Sequence, residues 1–137
     1  MDRNVHANAT LVSMQVLTLN ILGEPCSKAN SRRLVMFGRR PASIKSSKAL
    51  AYVDAFKHQA GAALTGQALY EGDLTIVIRI WYASKRPDLD ESLILDCLQG
   101  IAYENDRQVK EKHIYWMGVD KTNPRCEIEI EKRKATL

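Results

Sequence analysis

The sequence predicts an α+β fold in which two helices pack on a mixed sheet, with elements in the order β-α-β-α-β-β. Three stretches of the chain support this fold class. Residues 74–82, LTIVIRIWY, are largely apolar on both faces and rich in β-branched and aromatic side chains, which is typical of a central strand. Residues 49–64 repeat apolar side chains every three or four positions, which favours a helix. Residues 125–132 alternate Cys or Ile with Glu, the pattern of a half-buried strand.

The N-terminal third is expected to contain one strand followed by a long loop. Residues 12–22 are rich in Val, Leu, Thr and Ile and predict a strand, which Gly23 and Pro25 end. Residues 24–45 contain Gly, Pro and several Ser, and they predict a long loop with at most a short extended piece at 34–37. Loops of this length in small domains are usually functional or disordered.

Two helices are predicted from capping residues and apolar spacing. Ser46 or Ser47 can cap the first helix, which should run to about Leu64. The second helix is expected from about Glu91 to Ala102. The expected apolar faces are Ala49, Val53, Phe56, Ala60 and Ala63 or Leu64 on the first helix, and Ile94, Leu98 and Ile101 on the second.

The C-terminal part is expected to form two strands joined as a hairpin. Residues His113–Asp120 and Arg125–Lys132 predict these strands, and the intervening DKTNPR contains an Asn-Pro turn signal. Trp81 and Trp116 fall on predicted strands, so we expect both in the core. Tyr103, in the loop after the second helix, is also expected to cover the core.

Length and composition favour one cytoplasmic domain. The 137 residues are expected to form a single domain, with 1–11 and 133–137 as loose tails. The N-terminus lacks the basic-then-apolar order of a signal peptide, and no apolar run is long enough to span a membrane. The three cysteines are widely spaced without a Cys-x-x-Cys pair, which favours free thiols in a reducing cytoplasm over a zinc site.

Positive charge is concentrated in residues 25–53, which contain no acidic residue. This segment carries seven positive charges in a chain of net charge +4, so the remainder sums to −3. A basic segment beside an acidic remainder is expected of a protein that binds a phosphate backbone, and a solvated loop is the alternative. The seven cations are Lys28, Arg32, Arg33, Arg39, Arg40, Lys45 and Lys48.

Three carboxylates stand out in residues 85–109, KRPDLDESLILDCLQGIAYENDRQV. Asp88 and Asp90 are two apart, so their side chains point the same way on an extended backbone, and a short helix can return the chain so that Asp106 joins them. Clustered carboxylates repel one another unless a hard cation neutralises them, and Mg²⁺ prefers oxygen ligands. We therefore predict all three as metal ligands and catalytic residues. The alternative for Asp88 and Asp90 is a turn and a helix cap, and Asp96 is expected on the helix surface.

This stretch resembles the RusA-type Holliday junction resolvases, endonucleases encoded largely by phages and prophages. The ordered combination of motifs carries the resemblance, because Asp-x-Asp alone also occurs in glycosyltransferases. In chain order the motifs are Arg86, Asp88-Leu89-Asp90, Asp96-Cys97-Leu98, Gly100, Asn105-Asp106 and Gln108-Val109. In its organisation the resemblance extends over about residues 14–132, and Asn30 matches the family's loop asparagine.

The chain departs from the family pattern near the first helical turn. Glu91 stands where an Asn is usual, and the segment from Asp90 to Asp96 is about two residues shorter. A lysine often present in this turn is absent, and its place is taken by Leu93, Ile94 or Leu95. Asn105 replaces one member of an acidic pair. A cation for the scissile phosphate would then come from Lys85, Arg86, Arg107 or Lys110.

The resemblance implies a Mg²⁺-dependent endonuclease, with Mn²⁺ as a substitute, that resolves four-way DNA junctions by symmetric nicks in recombination and repair. It also implies a homodimer, since an open junction has two-fold symmetry. A nuclease for other branched DNA, a junction-binding protein without catalysis, and a sugar transferase too large for 137 residues are the alternatives. The expected DNA contacts are Lys28, Asn30, Arg32, Arg33, Arg39, Arg40, Lys45, Lys48, Lys85 and Arg86.

Overall fold

The structure is a computed structural model that describes residues 16–27 and 32–134 of the chain. The expectations for Lys28, Asn30 and the N-terminal tail lie outside these residues.

A four-stranded sheet forms the body of the fold. Its strands are β1 (Leu17–Leu22), β4 (Leu74–Tyr82), β5 (Val109–Val119) and β6 (Arg125–Lys132), arranged in the order β1-β6-β4-β5. The strand β4 pairs antiparallel with β6 and parallel with β5, and β6 pairs antiparallel with β1. The sheet is therefore mixed, and the predicted central position of residues 74–82 is confirmed.

Within the described residues, two helices cover one face of this sheet. They are α1 (Ser47–Ala63) and α2 (Ser92–Leu98). Alternate side chains of β4, from Leu74 to Tyr82, are buried, whereas those between them are half-buried. Burying a large apolar side chain contributes about 1.5–3 kcal/mol to the stability of the fold. The buried set of β4 side chains therefore determines which face of the sheet packs against the helices. The predicted α+β class with two helices on a mixed sheet is confirmed.

The first helix matches its prediction closely. Ser46 is its N-cap, and its side chain accepts a hydrogen bond from the Ala49 backbone N–H at 3.1 Å. Leu64 is its C-cap. Tyr52, which the spacing did not place on the apolar face, joins the core, while Ala63 is exposed.

The second helix is shorter than predicted, because it ends at Leu98 and not at Ala102. Gln99 is extended, and Gly100 follows with φ 81°, a conformation that glycine adopts without steric cost. The chain then folds back, and the Gly100 N–H donates to the Tyr103 carbonyl at 2.7 Å.

The predicted C-terminal hairpin is wrong, because β5 and β6 do not pair with each other. They lie on opposite sides of β4. The connection crosses the end of β4, where the Asp120 N–H donates to the Tyr82 carbonyl at 2.8 Å. The bounds of β6 agree with the prediction, and β5 begins at Val109, earlier than expected.

The predicted long loop at 24–45 is also wrong over most of its length, although the short extended piece expected at 34–37 lies within a strand. Residues 32–45 form a β-hairpin, here called the basic hairpin, from β2 (Arg32–Phe37) and β3 (Arg40–Lys45). The two strands form their own sheet, and no residue of the hairpin is buried.

The two tryptophans lie on strands as predicted but outside the core. Trp81 is half-buried on the face without helices, where the Arg125 guanidinium carbon lies 4.0 Å from its ring centre. Trp116 is 47% exposed because β5 is an edge strand. Tyr103 is fully buried, which confirms its predicted place in the core.

The described residues include no helix that is long and apolar enough to cross a membrane. Cys26, Cys97 and Cys126 are buried free thiols.

Candidate active site

The loop that carries Asp88 and Asp90 is fixed to the end of the central strand. Residues 83–91, here called the Asp-x-Asp loop, follow Tyr82, whose side chain is fully buried. The Tyr82 hydroxyl donates to the Asp88 carbonyl at 3.0 Å and accepts from the Asp90 N–H at 3.3 Å. Burial raises the pKa of Tyr82 above its usual value, so the phenol keeps the proton that it donates. The Tyr82 side chain thus fixes the position of the backbone at both Asp88 and Asp90.

Asp90 also has a structural role at the start of α2. Its Oδ1 accepts from the Ser92 N–H at 2.9 Å, which satisfies a backbone donor that has no partner within the helix. Glu91 and not Asp90 is the N-cap residue of α2, so Asp90 supports the helix start through one oxygen without being its cap. Asp88 is exposed, and Asp96 is exposed on α2 as predicted.

Glu24 joins three elements beside this loop. Its Oε2 accepts from the Ala83 N–H at 2.5 Å, and its Oε1 lies 3.4 Å from Lys48 Nζ in the first turn of α1. The Glu24 side chain is only 17% exposed. The ends of β1 and β4 and the start of α1 therefore meet at one end of the sheet, and the Asp-x-Asp loop begins there.

Asp106 lies in a separate, tightly held turn. Residues 106–108 form one 3₁₀ turn whose cap is Asn105, and the Asn105 side chain accepts from the Arg107 N–H at 2.9 Å. The Asp106 N–H donates to Gln99 Oε1 at 3.1 Å, which ties the turn to the end of α2. The asparagine that replaces a family acid thus has a capping function here.

Gln108 fixes this turn to the rest of the fold. Its Oε1 accepts from the Glu104 and Asn105 N–H groups, both at 3.1 Å. Its Nε2 donates to the carbonyls of Tyr70 at 2.9 Å and Gly72 at 3.0 Å. With Asn105 it completes a capping box, in which two backbone donors are satisfied reciprocally.

The predicted ligands lie near the two ends of α2. Asp90 precedes the helix, and Asp106 contacts Gln99 just after it. Seven helical residues span about 10 Å. Across residues 16–27 and 32–134, no three His, Cys, Asp or Glu side chains are grouped so that they could hold a metal ion. The joint site of Asp88, Asp90 and Asp106 stays a prediction.

The chemistry of these side chains nevertheless fits a hard cation. The carboxylates of Asp88 and Asp106 form no hydrogen bond or salt bridge with the residues that the structure describes. Anionic oxygens without a protein partner are the donors that Mg²⁺ binds.

A cation that sequence reasoning missed reaches the Asp-x-Asp loop from the edge strand. Lys112 on β5 is the register neighbour of the buried Ile76 on β4, so its side chain is on the face of the sheet that the helices cover. Its ammonium forms a salt bridge with Glu91, directly after Asp90. The Glu91 side chain is 16% exposed, whereas that of Lys112 is 50% exposed. The candidates named from sequence, Lys85, Arg86, Arg107 and Lys110, are all exposed and make no salt bridge with described residues.

Most of the described cations predicted to contact DNA form no salt bridge with another described residue. Arg32 donates to the Ser43 carbonyl at 3.2 Å, and Lys48 pairs with Glu24. Lys28 and Asn30 lie outside the described residues. Within the described part, no salt bridge involves the remaining cations, which are Arg33, Arg39, Arg40, Lys45, Lys85 and Arg86.

The anchoring residues were not identified from the sequence because their partners are distant along the chain. Glu24 and Ala83 are 59 residues apart, and Glu91 and Lys112 are 21 apart. The Asn-x-x-Gln spacing of residues 105–108 is a capping signal that could have been recognised locally.

Comparison with known families adds one finding. A family model described as Endodeoxyribonuclease RusA matches residues 23–131, about four fifths of the chain. No curated protein matches the chain. The matched range includes the Asp-x-Asp loop, the Asp106 turn and the basic hairpin.

Proposed function

The chain belongs to the RusA endodeoxyribonuclease family, and we propose that it resolves four-way DNA junctions by paired symmetric nicks, in recombination and repair. The family match over residues 23–131 carries this proposal, because it includes the segments with Asp88, Asp90 and Asp106. Two of these carboxylates have no partner among the described residues, which supports their use in binding a cation.

In this proposal Asp88, Asp90 and Asp106 hold Mg²⁺, and Mn²⁺ can replace it. The ion would activate water and neutralise charge on the scissile phosphate. The backbone anchoring by Tyr82 and Gln99 determines where the carboxylates can lie. Positioning of this kind matters because a small displacement of a reacting group lowers the rate steeply.

We assign Lys112 as the cation nearest the scissile phosphate. No lysine or arginine occurs in α2, whose sequence is SLILDCL. The half-exposed Lys112 ammonium is bonded to Glu91, the residue that follows Asp90 in the chain. A positive group at this position would offset the negative charge that develops on the phosphate during hydrolysis.

A homodimer supplies the symmetry that paired nicking requires. Each chain carries one set of the three aspartates, and an open junction offers two equivalent strands. A C₂ dimer places two identical sites in matching orientations. Sedimentation at micromolar concentration should therefore give about twice the 15.5 kDa chain mass. The three free thiols also fit a reducing, cytoplasmic location.

A junction-binding protein without catalysis is the second candidate. The separation of Asp106 from Asp90 along α2 and the absence of a cation on that helix favour it. It retains the basic hairpin as a DNA contact and needs no Mg²⁺.

A substrate panel distinguishes the two. Purified protein is incubated with a synthetic four-way junction, a fork, a flap and a linear duplex, with and without Mg²⁺, and Asp88→Asn serves as the inactive control. The resolvase should nick when Mg²⁺ is present and not when divalent metal is absent, and it should make two symmetric cuts in the junction. Tight junction binding without nicks at any Mg²⁺ or Mn²⁺ concentration would support the binding protein, and preferential cutting of flaps or forks would indicate a nuclease for other branched DNA.

A further inference from the structure

The basic hairpin exposes the most accessible large apolar side chains in the described part of the molecule. Leu34 is 74% exposed, Phe37 is 65% exposed and Met36 is 61% exposed. Leu50, on α1, follows at 54%. Exposed apolar side chains clustered on one element commonly mark a contact with another molecule.

Phe37 is placed at the tip of the hairpin by its turn. Phe37 pairs with Arg40, and the two residues between them are Gly38 and Arg39. Gly38 has φ 64°, and it occupies the first central position, where a type II′ turn uses glycine. An aromatic ring is thus presented at the end of a two-stranded arm, directly beside two arginines.

The charges on the hairpin indicate which kind of molecule covers these side chains. Within residues 32–45 there are five cations, no acidic residue and no salt bridge to any described residue. Two such hairpins would repel each other, which disfavours a second copy of the chain as the occupant. A nucleic acid offers both the phosphates that arginines bind and the flat bases on which an aromatic ring stacks.

The base of the hairpin lies at the same end of the molecule as the Asp-x-Asp loop. Its second strand leads through Ser46 into α1, whose Lys48 pairs with the Glu24 carboxylate that also holds Ala83. The Asp-x-Asp loop begins at Ala83. Arg40, which pairs with Phe37, is six residues before Ser46, so an extended strand places the hairpin tip up to about 20 Å from the start of α1.

We propose that Phe37 is an apolar wedge that stacks on an opened base at the branch point of the DNA while the hairpin arginines hold the flanking phosphates. Proteins that distort DNA often insert apolar side chains between base steps and flank them with cations. This inference rests on the proposed action on branched DNA. It does not require cleavage, and it can be measured without Mg²⁺.

The test measures base unstacking in a metal-free buffer. A four-way junction with thymines at the branch point is saturated with protein and treated with permanganate, which oxidises unstacked thymines. Wild-type protein should raise the reactivity of the branch-point thymines. Phe37→Ala should lower it to the level of free DNA, and Phe37→Trp, which retains an aromatic face, should restore it. Loss of one stacked contact should weaken junction binding by roughly 5- to 150-fold.

Matched controls keep the outcome unambiguous. Leu50→Ala removes another exposed apolar side chain outside the hairpin and should leave permanganate reactivity unchanged. Because Phe37 is exposed and makes no core contact, its replacement should not alter the thermal unfolding midpoint. Permanganate reactivity equal to the wild-type level in Phe37→Ala would overturn the wedge. A Phe37→Ala protein that differs from wild type only in its sedimenting mass would also overturn it, because Phe37 would then contact a second copy of the chain. A protein that unstacks the thymines through Phe37 but never cuts with Mg²⁺ would refute the nuclease function and retain the wedge.

Discussion

The Asp-x-Asp loop and the basic hairpin start at the same end of the sheet but are built in opposite ways. The loop is held by side chains from elsewhere in the fold: Tyr82 bonds its backbone twice, Glu24 binds its first residue, and Lys112 pairs with its last. The hairpin bonds mainly to itself, and none of its residues is buried.

The difference suggests a division between chemistry and binding. Catalysis depends on atoms held within a fraction of an ångström, and a network of long-range bonds provides such positions. Binding to a phosphate backbone depends mainly on the number of cations and tolerates adjustable geometry. Variants in the loop should therefore change the cutting rate, and variants in the hairpin should change affinity.

The largest expected effect is on cleavage by variants of the three aspartates. Asp88→Asn, Asp90→Asn and Asp106→Asn should each lower Mg²⁺-dependent cutting by more than about 100-fold, since even residues outside the ligand set typically cost 10–100-fold. Junction binding in metal-free buffer should persist or tighten, because a charge facing the phosphates is removed. Asp96→Asn is the control and should cut normally. Normal cutting by any of the three would remove that residue from the site.

The next effect is the salt dependence of hairpin binding. Replacing Arg32, Arg33, Arg39 and Arg40 by Ala should lower the slope of log affinity against log salt by about 0.9 per lost phosphate contact, or about 3.6 in all. Binding is measured by anisotropy on a labelled junction from 50 to 300 mM salt, concentrations chosen around the physiological value of about 150 mM. An unchanged slope would show that the hairpin is solvated in the complex.

Lys112 should affect the rate and not the affinity. Lys112→Ala should slow cleavage by about 10- to 100-fold, less than the roughly 100- to 1,000-fold lost with a buried donor to a developing charge, because Lys112 is half-exposed and also bonds Glu91. Lys112→Arg should recover part of the rate because it keeps the charge. Lys132→Ala removes another exposed lysine, on β6, and should leave the rate unchanged. Equal losses in both alanine variants would indicate a general electrostatic effect.

The smallest expected effect comes from Tyr82→Phe, which deletes one hydroxyl and two hydrogen bonds. Stability should fall by about 1–3 kcal/mol, since each bond contributes about 0.5–1.5 kcal/mol. Cleavage should slow by about 10-fold without a change in junction affinity, because the aspartate backbone loses its anchor. Tyr115→Phe, on the exposed edge strand, is the matched control. A rate loss in proportion to the unfolded fraction would mean that the hydroxyl stabilises only the fold.

The same contrast explains what could be predicted from the sequence. The helix α1 was predicted almost to the residue, because its cap Ser46 and its apolar spacing are local signals. The sequence predicts only a short extended piece within the hairpin, because its arginines mask the strand pattern, although Phe-Gly-Arg contains a two-residue turn signal at Gly38. The end of α2 was misplaced because the apolar spacing continues to Ile101 past the turn at Gly100.

The long-range arrangement was beyond such signals. The turn before β6 indicated that the chain reverses, but it did not reveal that β6 crosses to the other side of β4. The anchoring hydroxyl of Tyr82 was counted among apolar strand positions, and its contact with Asp88 depends on how the loop folds back. The candidate carboxylates were named from their order in the chain, and their grouping around a metal stays a prediction.

Single-turnover cleavage of a labelled junction at saturating protein tests the division between chemistry and binding most directly. The variant with Arg32, Arg33, Arg39 and Arg40 replaced by Ala should need more protein to saturate but should then cut within about 3-fold of the wild-type rate, which is less than a 1 kcal/mol change in the barrier. Asp88→Asn should saturate at wild-type concentrations and cut at the background rate. A hairpin variant that remains slow at saturation, or an Asp88→Asn protein that cuts once bound, would contradict the division.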